Sequence, residues 1–275
     1  MACVRVLWLL AGLAFHGMLA AGSAPSQKAV LARAGAFVAR YTDELPRLVA
    51  TETMTQDLTP PPGQPFYQTR QRAVAEFAWV TLPGEFEAIG FRDVIEVNGV
   101  PVGSERTQLV DLLHGSGGAT WSQARAIVEQ SARHNLAPGS RNFNLPTVAV
   151  FFLHPELQAR FSWKRRSEAS APLWEVEFRE RDRPTLIRQG DGRPVFSRGR
   201  VWIETATGAV LRTDLALEFD RVAYTLTTRF TRVASMDLVL PTSLDERYAT
   251  QEEVVTGSAT YTNYRRFQTG ARLIR

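Results

Sequence analysis

Arg200-Val201-Trp202-Ile203-Glu204-Thr205-Ala206-Thr207-Gly208-Ala209-Val210-Leu211-Arg212-Thr213-Asp214-Leu215-Ala216-Leu217-Glu218-Phe219 is a stretch of two strands and a short turn. In its second half Leu211, Thr213, Leu215, Leu217 and Phe219 fall on one face, and Arg212, Asp214 and Glu218 on the other. Side chains of a strand alternate between faces, so period two of this kind describes a strand buried on one side. Ala206-Thr207-Gly208 supplies the Gly-containing connection of a hairpin. Residues 222–233 repeat the device, with Tyr224, Leu226 and Phe230 against Thr225, Thr227, Arg229 and Thr231. Downstream, residues 238–248, interrupted at Pro241, and 254–267 complete the series, and upstream Phe161-Ser162-Trp163, residues 174–178 and residues 185–188 alternate in the same way. Many sequential strands, one face apolar and the other polar, predict an antiparallel sheet covered on one side only. Strands this long curl around a core.

The chain before this meander begins helical. Val30, Leu31, Ala34, Phe37, Val38, Tyr41 and Leu45 recur at three- and four-residue spacing over residues 26–45, which predicts an amphipathic helix started by Pro25 or Ser26 and stopped by Pro46. Residues 47–58 alternate poorly but are rich in Thr and Val, and read as a strand ended by Pro60-Pro61-Pro62-Gly63. Residues 71–82 form a half-buried strand with Ala75, Phe77 and Trp79 inward, and residues 92–102 form a hairpin around Asn98-Gly99. A helical interruption follows: residues 105–113 and 121–134 have helical spacing, joined by Gly115-Ser116-Gly117-Gly118. Thr147 to Leu153, bounded by Pro146 and His154-Pro155, reads either as a short buried helix with Pro at its first position or as a buried strand, and the placement of the two prolines favours the helix. The fold class is α+β, a curved antiparallel β-sheet (half-barrel) with helices covering the concave face.

Residues 1–24 have the form of a secretory signal peptide, with Arg5 before an apolar run and small residues up to Ala24. Residues 25–275 are then a single α+β extracytoplasmic domain, secreted or periplasmic, with no integral membrane span after cleavage. Cys3 is the only cysteine and leaves with the signal, so the mature chain has no disulfide and relies on the size of its core. Basic residues number 32 against 28 acidic, for a net charge of +4, and all the basic residues except Lys28 and Lys164 are arginine. That balance, without a basic motif interleaved with aromatic residues, points away from a nucleic-acid partner. A composition 44% hydrophobic and 22% charged excludes a disordered chain.

No reacting constellation is visible. His114, His134 and His154 stand 20 residues apart without the spacing of a zinc helix, so no metal site is expected. Ser116 lies outside the register of a hydrolase elbow and reads as part of a flexible linker. Glu175, Glu177 and Glu180 lie between Trp174, Val176 and Phe178 and are assigned to the solvent face of their strand. Residues 188–193 read as a turn rather than a phosphate loop. No catalytic residue and no cofactor are expected, and an enzyme, most plausibly a hydrolase, is the least supported class.

Aromatic area is what the sequence has in surplus. Phe77, Trp79, Phe151, Phe152, Trp163, Trp174, Trp202 and Phe230 lie on the strands and on the apolar helix between them. They are either a plain core or the lining of an apolar cavity enclosed between a curved sheet and its helices.

Gly199-Arg200-Val201-Trp202-Ile203 and Thr207-Gly208-Ala209-Val210-Leu211-Arg212, with the leading helix and the helical interruption, resemble the periplasmic lipoprotein-carrier (LolA/LolB-like) half-barrel fold over roughly residues 30–268. Ala259-Thr260-Tyr261-Thr262-Asn263-Tyr264-Arg265-Arg266-Phe267 is similar to the end of a group of uncharacterised predicted secreted bacterial proteins associated with that fold. Members of the fold carry acyl chains of lipoproteins or lipids, or serve as sensors and scaffolds. No family ligand-binding residue matches a position in this chain. The resemblance implies extracytoplasmic binding or transport of an apolar ligand, a lipid or acyl chain. The alternative is an envelope protein-interaction or sensing module without a small-molecule ligand.

Overall fold

The computed structural model describes residues 24–60, 69–81, 88–102, 134–136, 145–189 and 191–266. The expected signal peptide and both helices of the interruption, apart from His134, lie outside the described residues. Helix α1 (Gln27–Glu44) runs through a short 3-10 turn, Leu45–Arg47, into β1 (Leu48–Thr59). Then come β2 (Thr69–Thr81), β3 (Ala88–Val97), β4 (Val100–Pro101) and the four-residue α2 (Val148–Phe151). The remainder is β5 (Phe161–Arg165), β6 (Leu173–Glu180), β7 (Ile187–Arg188), β8 (Pro194–Val195), β9 (Ser197–Glu204), β10 (Val210–Phe219), β11 (Val222–Val233), β12 (Leu238–Ala249) and β13 (Val254–Arg266).

Eleven strands form one sheet in the order β4-β3-β2-β1-β13-β12-β11-β10-β9-β6-β5, and every ladder in it is antiparallel. β4 and β5 are the two ends of that order, so the sheet is curved and not closed. The chain enters at the middle, meanders to one edge, crosses to the other, and returns until β13 lies beside β1. Residues 185–188, read as another strand of the meander, contribute only β7, which pairs with β8 in a separate two-stranded ribbon. A charged Pro- and Gly-containing segment of this length closes on itself more readily than it extends a large sheet.

Cross-strand rows assemble the inner face. One runs Met54, Ala259, Leu244, Thr228, Thr213, Val201 and Val176 across β1, β13, β12, β11, β10, β9 and β6. The next runs Gln56, Gly257, Glu246, Leu226, Leu215, Gly199 and Phe178. α1 lays Val30, Ala34, Val38 and Tyr41 onto this face, and α2 adds Ala149, Val150 and Phe151, all within one continuous core. Burying each such large apolar side chain is worth about 1.5–3 kcal/mol, which is why the amphipathic stripe, and not helix propensity, holds α1 in place.

Polar side chains fix the position of α1. Ser26 Oγ accepts from Ala29 N (3.2 Å) as N-cap. Gln27 donates to Trp163 O (3.0 Å) and accepts from Arg165 N (3.2 Å), so it occupies the free edge of β5 as a strand would. Arg33 Nε donates to Thr205 O (2.8 Å) in the β9–β10 turn. Gly208 in that turn has φ +78°, and a Cβ there would stand 2.3 Å from the Arg33 carbonyl carbon, so only glycine lets the turn close onto the helix.

Two local readings are corrected. Glu180 stands two residues on from Phe178 and shares its inward face; it is 3% exposed, and its carboxylate accepts from Leu186 N (2.8 Å) and Ser197 N (3.2 Å). Pro241 does not break its strand. β12 runs through it, and the β11 register shifts from Arg229↔Ser243 to Phe230↔Pro241, a bulge that absorbs the missing N–H. A second bulge lies in β13, where Asn263 adopts φ 51° and the pairing steps from Thr51↔Thr262 to Val49↔Arg265. One extra residue exchanges the faces. Tyr264 and Arg266 therefore turn towards the helix side beyond it.

Candidate functional site

The aromatic residues read from the sequence divide by position. Phe77, Trp79, Phe151, Phe152, Trp174 and Phe230 are buried in the core beneath α1 and α2. Phe77 meets Trp79 edge-on at 4.7 Å, Phe152 stacks on Phe161 at 4.8 Å, and Trp79 Nε1 donates to Thr147 Oγ1 (3.2 Å). Trp163 is half-buried beside them, its indole N–H donating to Gln158 O (2.9 Å). Trp202 alternates with Val201 and Ile203 and so lies on the outer face, under the Arg212 guanidinium at 4.5 Å.

A buried polar network crosses the inner face between β3 and β12. Arg92 grips Glu52 in a two-point ion pair, Nε to Oε2 at 2.5 Å and Nη2 to Oε1 at 3.0 Å, and Tyr261 Oη donates to Glu52 Oε1 (2.7 Å). Burial pulls the Arg92 pKa down, but Glu52 beside it, with Tyr261 and Glu246, more than offsets this and the net shift is upward. Gln56 Nε2 donates to Glu246 Oε1 (2.8 Å), while Gln56 Oε1 accepts from Leu136 N (2.8 Å). The space between these groups is about 20 Å³, room for a single water. These side chains are one another's partners and form a structural element.

Two larger depressions are lined by described residues. One, about 470 Å³, lies on the outer face of β6, β9, β10 and β11. Four of its charges are paired, Arg198 with Glu218, Arg200 with Glu175 (3.1 Å), Glu177 with Arg166 and Asp214 with Arg212 (2.9 Å). The other, about 680 Å³, opens between the C-terminal half of α1 and the β9–β10 and β11–β12 turns. Phe37 and Tyr41, one helical turn apart and stacked at 5.6 Å, form one wall, and Met236, Leu238 and Val239 the other. Charges sit around these apolar walls: Arg232 pairs with Asp237 (3.1 Å), Arg266 with Glu44 (2.5 Å), and Arg40 and Asp43 complete the set. Ligand pockets are typically concave, mostly apolar and ~300–1,000 Å³; the groove at α1 has that volume, and charged or polar residues share its lining with the apolar ones about equally.

None of the eight aromatic residues lines this groove. Sequence reading had Phe37 and Tyr41 as core positions of a helix. Their side-by-side placement three residues before the helix end was the available signal, but the far wall comes from a turn some 200 residues away and could not be paired with them by spacing.

Among the described residues no group of three or more His, Cys, Asp or Glu is placed to hold a metal ion, and no helix is long and apolar enough to cross a membrane. No family model and no curated protein matches the chain. Solved structures do. A LolA superfamily protein from Nitrosomonas europaea is 11% identical, with 92% of this chain and 98% of that chain covered and a TM-score of 0.33. A domain assigned to outer membrane lipoprotein sorting from Vibrio parahaemolyticus is 10% identical over 87% of this chain and 94% of that one, TM-score 0.37. A DUF1329 family protein from Desulfovibrio piger is 12% identical over 88% and 93%, TM-score 0.34. Each of these similarities extends over most of this chain.

Proposed function

We propose that this chain binds an apolar or amphipathic ligand, a lipid or acyl chain, in the groove between α1 and the β11–β12 turn, and that it does so outside the cytoplasm after loss of residues 1–24. The observation that carries this reading is the groove itself: about 680 Å³ with Phe37, Tyr41, Met236, Leu238 and Val239 on its walls. Apolar surface left open in a folded chain gains free energy when a ligand removes it from water, at roughly 25 cal/mol per Å².

The test is fluorescence titration of the mature chain with a pyrene-labelled long-chain hydrocarbon, alongside Leu238→Glu, which places a charge on the wall. Saturable binding by the parent, weakened tenfold or more in the variant, is expected. A parent that shows no saturable binding refutes the reading and leaves the envelope interaction or sensing module as the better account.

A further inference from the structure

We infer that the chain carries a second interaction surface, at the β5 edge of the sheet, where unpaired arginines and an exposed phenylalanine within residues 179–196 fit a negatively charged phospholipid surface. The inference is independent of the groove, which lies at the other end of β9, where Thr207 and Ala209 form part of its lining.

Positive charge is unevenly spread along the chain. Residues 160–200 hold 11 of the 32 basic residues and 6 of the 28 acidic ones, so the remainder is close to neutral. On the outer face of the sheet Arg198, Arg200 and Arg229 are paired with Glu218, Glu175 and Asp245. Arg179, Arg181, Arg183 and Arg188 are exposed and have no carboxylate at ion-pair distance among the described residues. Arg181 instead donates to the Ala159 carbonyl (3.2 Å) and Arg188 to the Thr185 carbonyl (3.4 Å), while Arg183 lies over the Phe196 ring at 5.3 Å. Carboxylates at this end are engaged elsewhere: Glu180 is buried on two backbone N–H groups, Asp191 and Asp220 hold Arg193, and Glu218 holds Arg198. That leaves Asp182 against four arginines.

The fold keeps these groups together. Arg181 N donates to Arg160 O (2.9 Å), Arg160 donates to the Pro184 carbonyl, and the β7–β8 ribbon turns the chain back so that Phe196 meets Arg183.

Phe196 is what selects the partner. It is 38% exposed, the only aromatic residue among the large apolar side chains exposed to that degree in the described residues, and Pro184 next to Arg183 is exposed as well. An aromatic ring standing among cations is the arrangement of an interfacial anchor, in which the ring enters the headgroup region while the cations meet the phosphates. Arginine suits this role, being weakly hydrated and able to meet phosphate oxygens at two points. Attraction to an anionic bilayer is worth roughly fivefold in affinity for each basic residue close to the surface.

Vesicle flotation of the mature chain tests this, with equal parts of phosphatidylglycerol and phosphatidylcholine against phosphatidylcholine alone. The parent is expected to float with the anionic vesicles at low salt and to be released as salt screens the attraction. Arg181→Gln/Arg183→Gln/Arg188→Gln should bind on the order of a hundredfold more weakly, and lysine at the same three positions should restore binding. The charge-matched Arg47→Gln/Arg229→Gln/Arg265→Gln should lose no more than about tenfold. Phe196→Ser should weaken binding several-fold, and Leu238→Glu, which alters the groove, should float as the parent does. Equal binding to neutral vesicles, equal losses in the two glutamine triples, or no rescue by lysine overturns the inference. Capture on immobilised polyglutamate as strong as on the vesicles, with Phe196→Ser without effect, assigns an acidic protein partner instead and also overturns it. Each of these outcomes leaves hydrocarbon binding in the groove to its own titration.

Discussion

Replacing Arg92 by Met tests whether the polar network on the inner face is the structural element described above. Glu52 is 1% exposed and Arg92 12%, and the pair is joined at two points, 2.5 and 3.0 Å. Arg92→Met removes the charge but keeps most of the stem that runs over the Phe77 ring, where the guanidinium carbon lies 4.9 Å from the centroid. What remains is a buried carboxylate with Tyr261 Oη, at 2.7 Å, as its surviving donor in this cluster. Stranding one partner of a buried pair costs about 3–5 kcal/mol. For a domain of this size that is a fall in Tm of about 6–20 °C, at roughly 2–4 °C per kcal/mol. Adding Glu52→Leu should restore part of the loss and leave the Tyr261 hydroxyl unpaired, which costs about 1–3 kcal/mol. Adding Tyr261→Phe as well should bring the triple variant to within about 1 kcal/mol of the parent, because replacing a whole buried ionic cluster by apolar groups is often neutral or stabilising. Urea unfolding with linear extrapolation, on all four proteins, gives the comparison. A single variant within 1 kcal/mol of the parent, or a triple variant as unstable as the single, would refute the reasoning.

Gly257 and Glu246 should be coupled: a Cβ at residue 257 would stand 2.6 Å from Glu246 Oε1 and 2.7 Å from its Cγ, since that carboxylate leans over the glycine to reach Gln56. Gly257→Ala is expected to cost about 1–3 kcal/mol as overpacking, and Glu246→Ala in the same chain should relieve part of it; strictly additive losses in urea unfolding would count against the contact. Burial raises the pKa of both Tyr41 and Tyr261 above the usual 10. Below pH 10 folded and unfolded chains are both protonated at these groups and stability does not depend on them. Above it the unfolded chain releases protons that the folded chain keeps, so stability should fall with rising pH, by up to about 1.4 kcal/mol per unit for each phenol. Unfolding followed by near-ultraviolet circular dichroism at pH 9–12 measures this, and Tyr41→Phe should remove its share of the slope.

How far the fold could be read depended on what each strand places on its inner face. In β10 the inward positions Thr213, Leu215 and Leu217 alternate with charges, so its pattern is plain. In β1 the inward set is Leu48, Ala50, Glu52, Met54 and Gln56, all buried, and the two polar members spoil an alternation that exists in three dimensions. Arg92 hides in β3 for the same reason, because a charge at an inward position looks like a surface residue until its partner 40 positions earlier is known. Pro241 and Asn263 mark bulges whose effect on register depends on the neighbouring strand, which no local pattern contains. As for the groove, Tyr41 is legible as a buried helix position, but the Met236, Leu238 and Val239 wall opposite it is a property of the folded surroundings.

Those two bulges lie near the groove. Bulged strands bend and twist more strongly than regular ones, whereas α1 is a regular helix from Gln27 to Glu44. The bulges touch: Tyr264, just past Asn263, donates from its hydroxyl to the Pro241 carbonyl (2.6 Å). Both stand at the end of the sheet where Leu238 and Val239 of β12 and Arg266 of β13 form groove lining. Along β5, β6, β9 and β10 the sheet follows the helix and the space between is filled with aromatic side chains. At the bulged end the groove lies between helix and sheet, and Arg266 of β13 reaches Glu44 of α1. The shift in β13 exchanges faces, so Arg266 arrives on the helix side and pairs with Glu44. The same irregularity thus places a charge beside the opening, where Arg266 and Glu44 edge the groove as a pair.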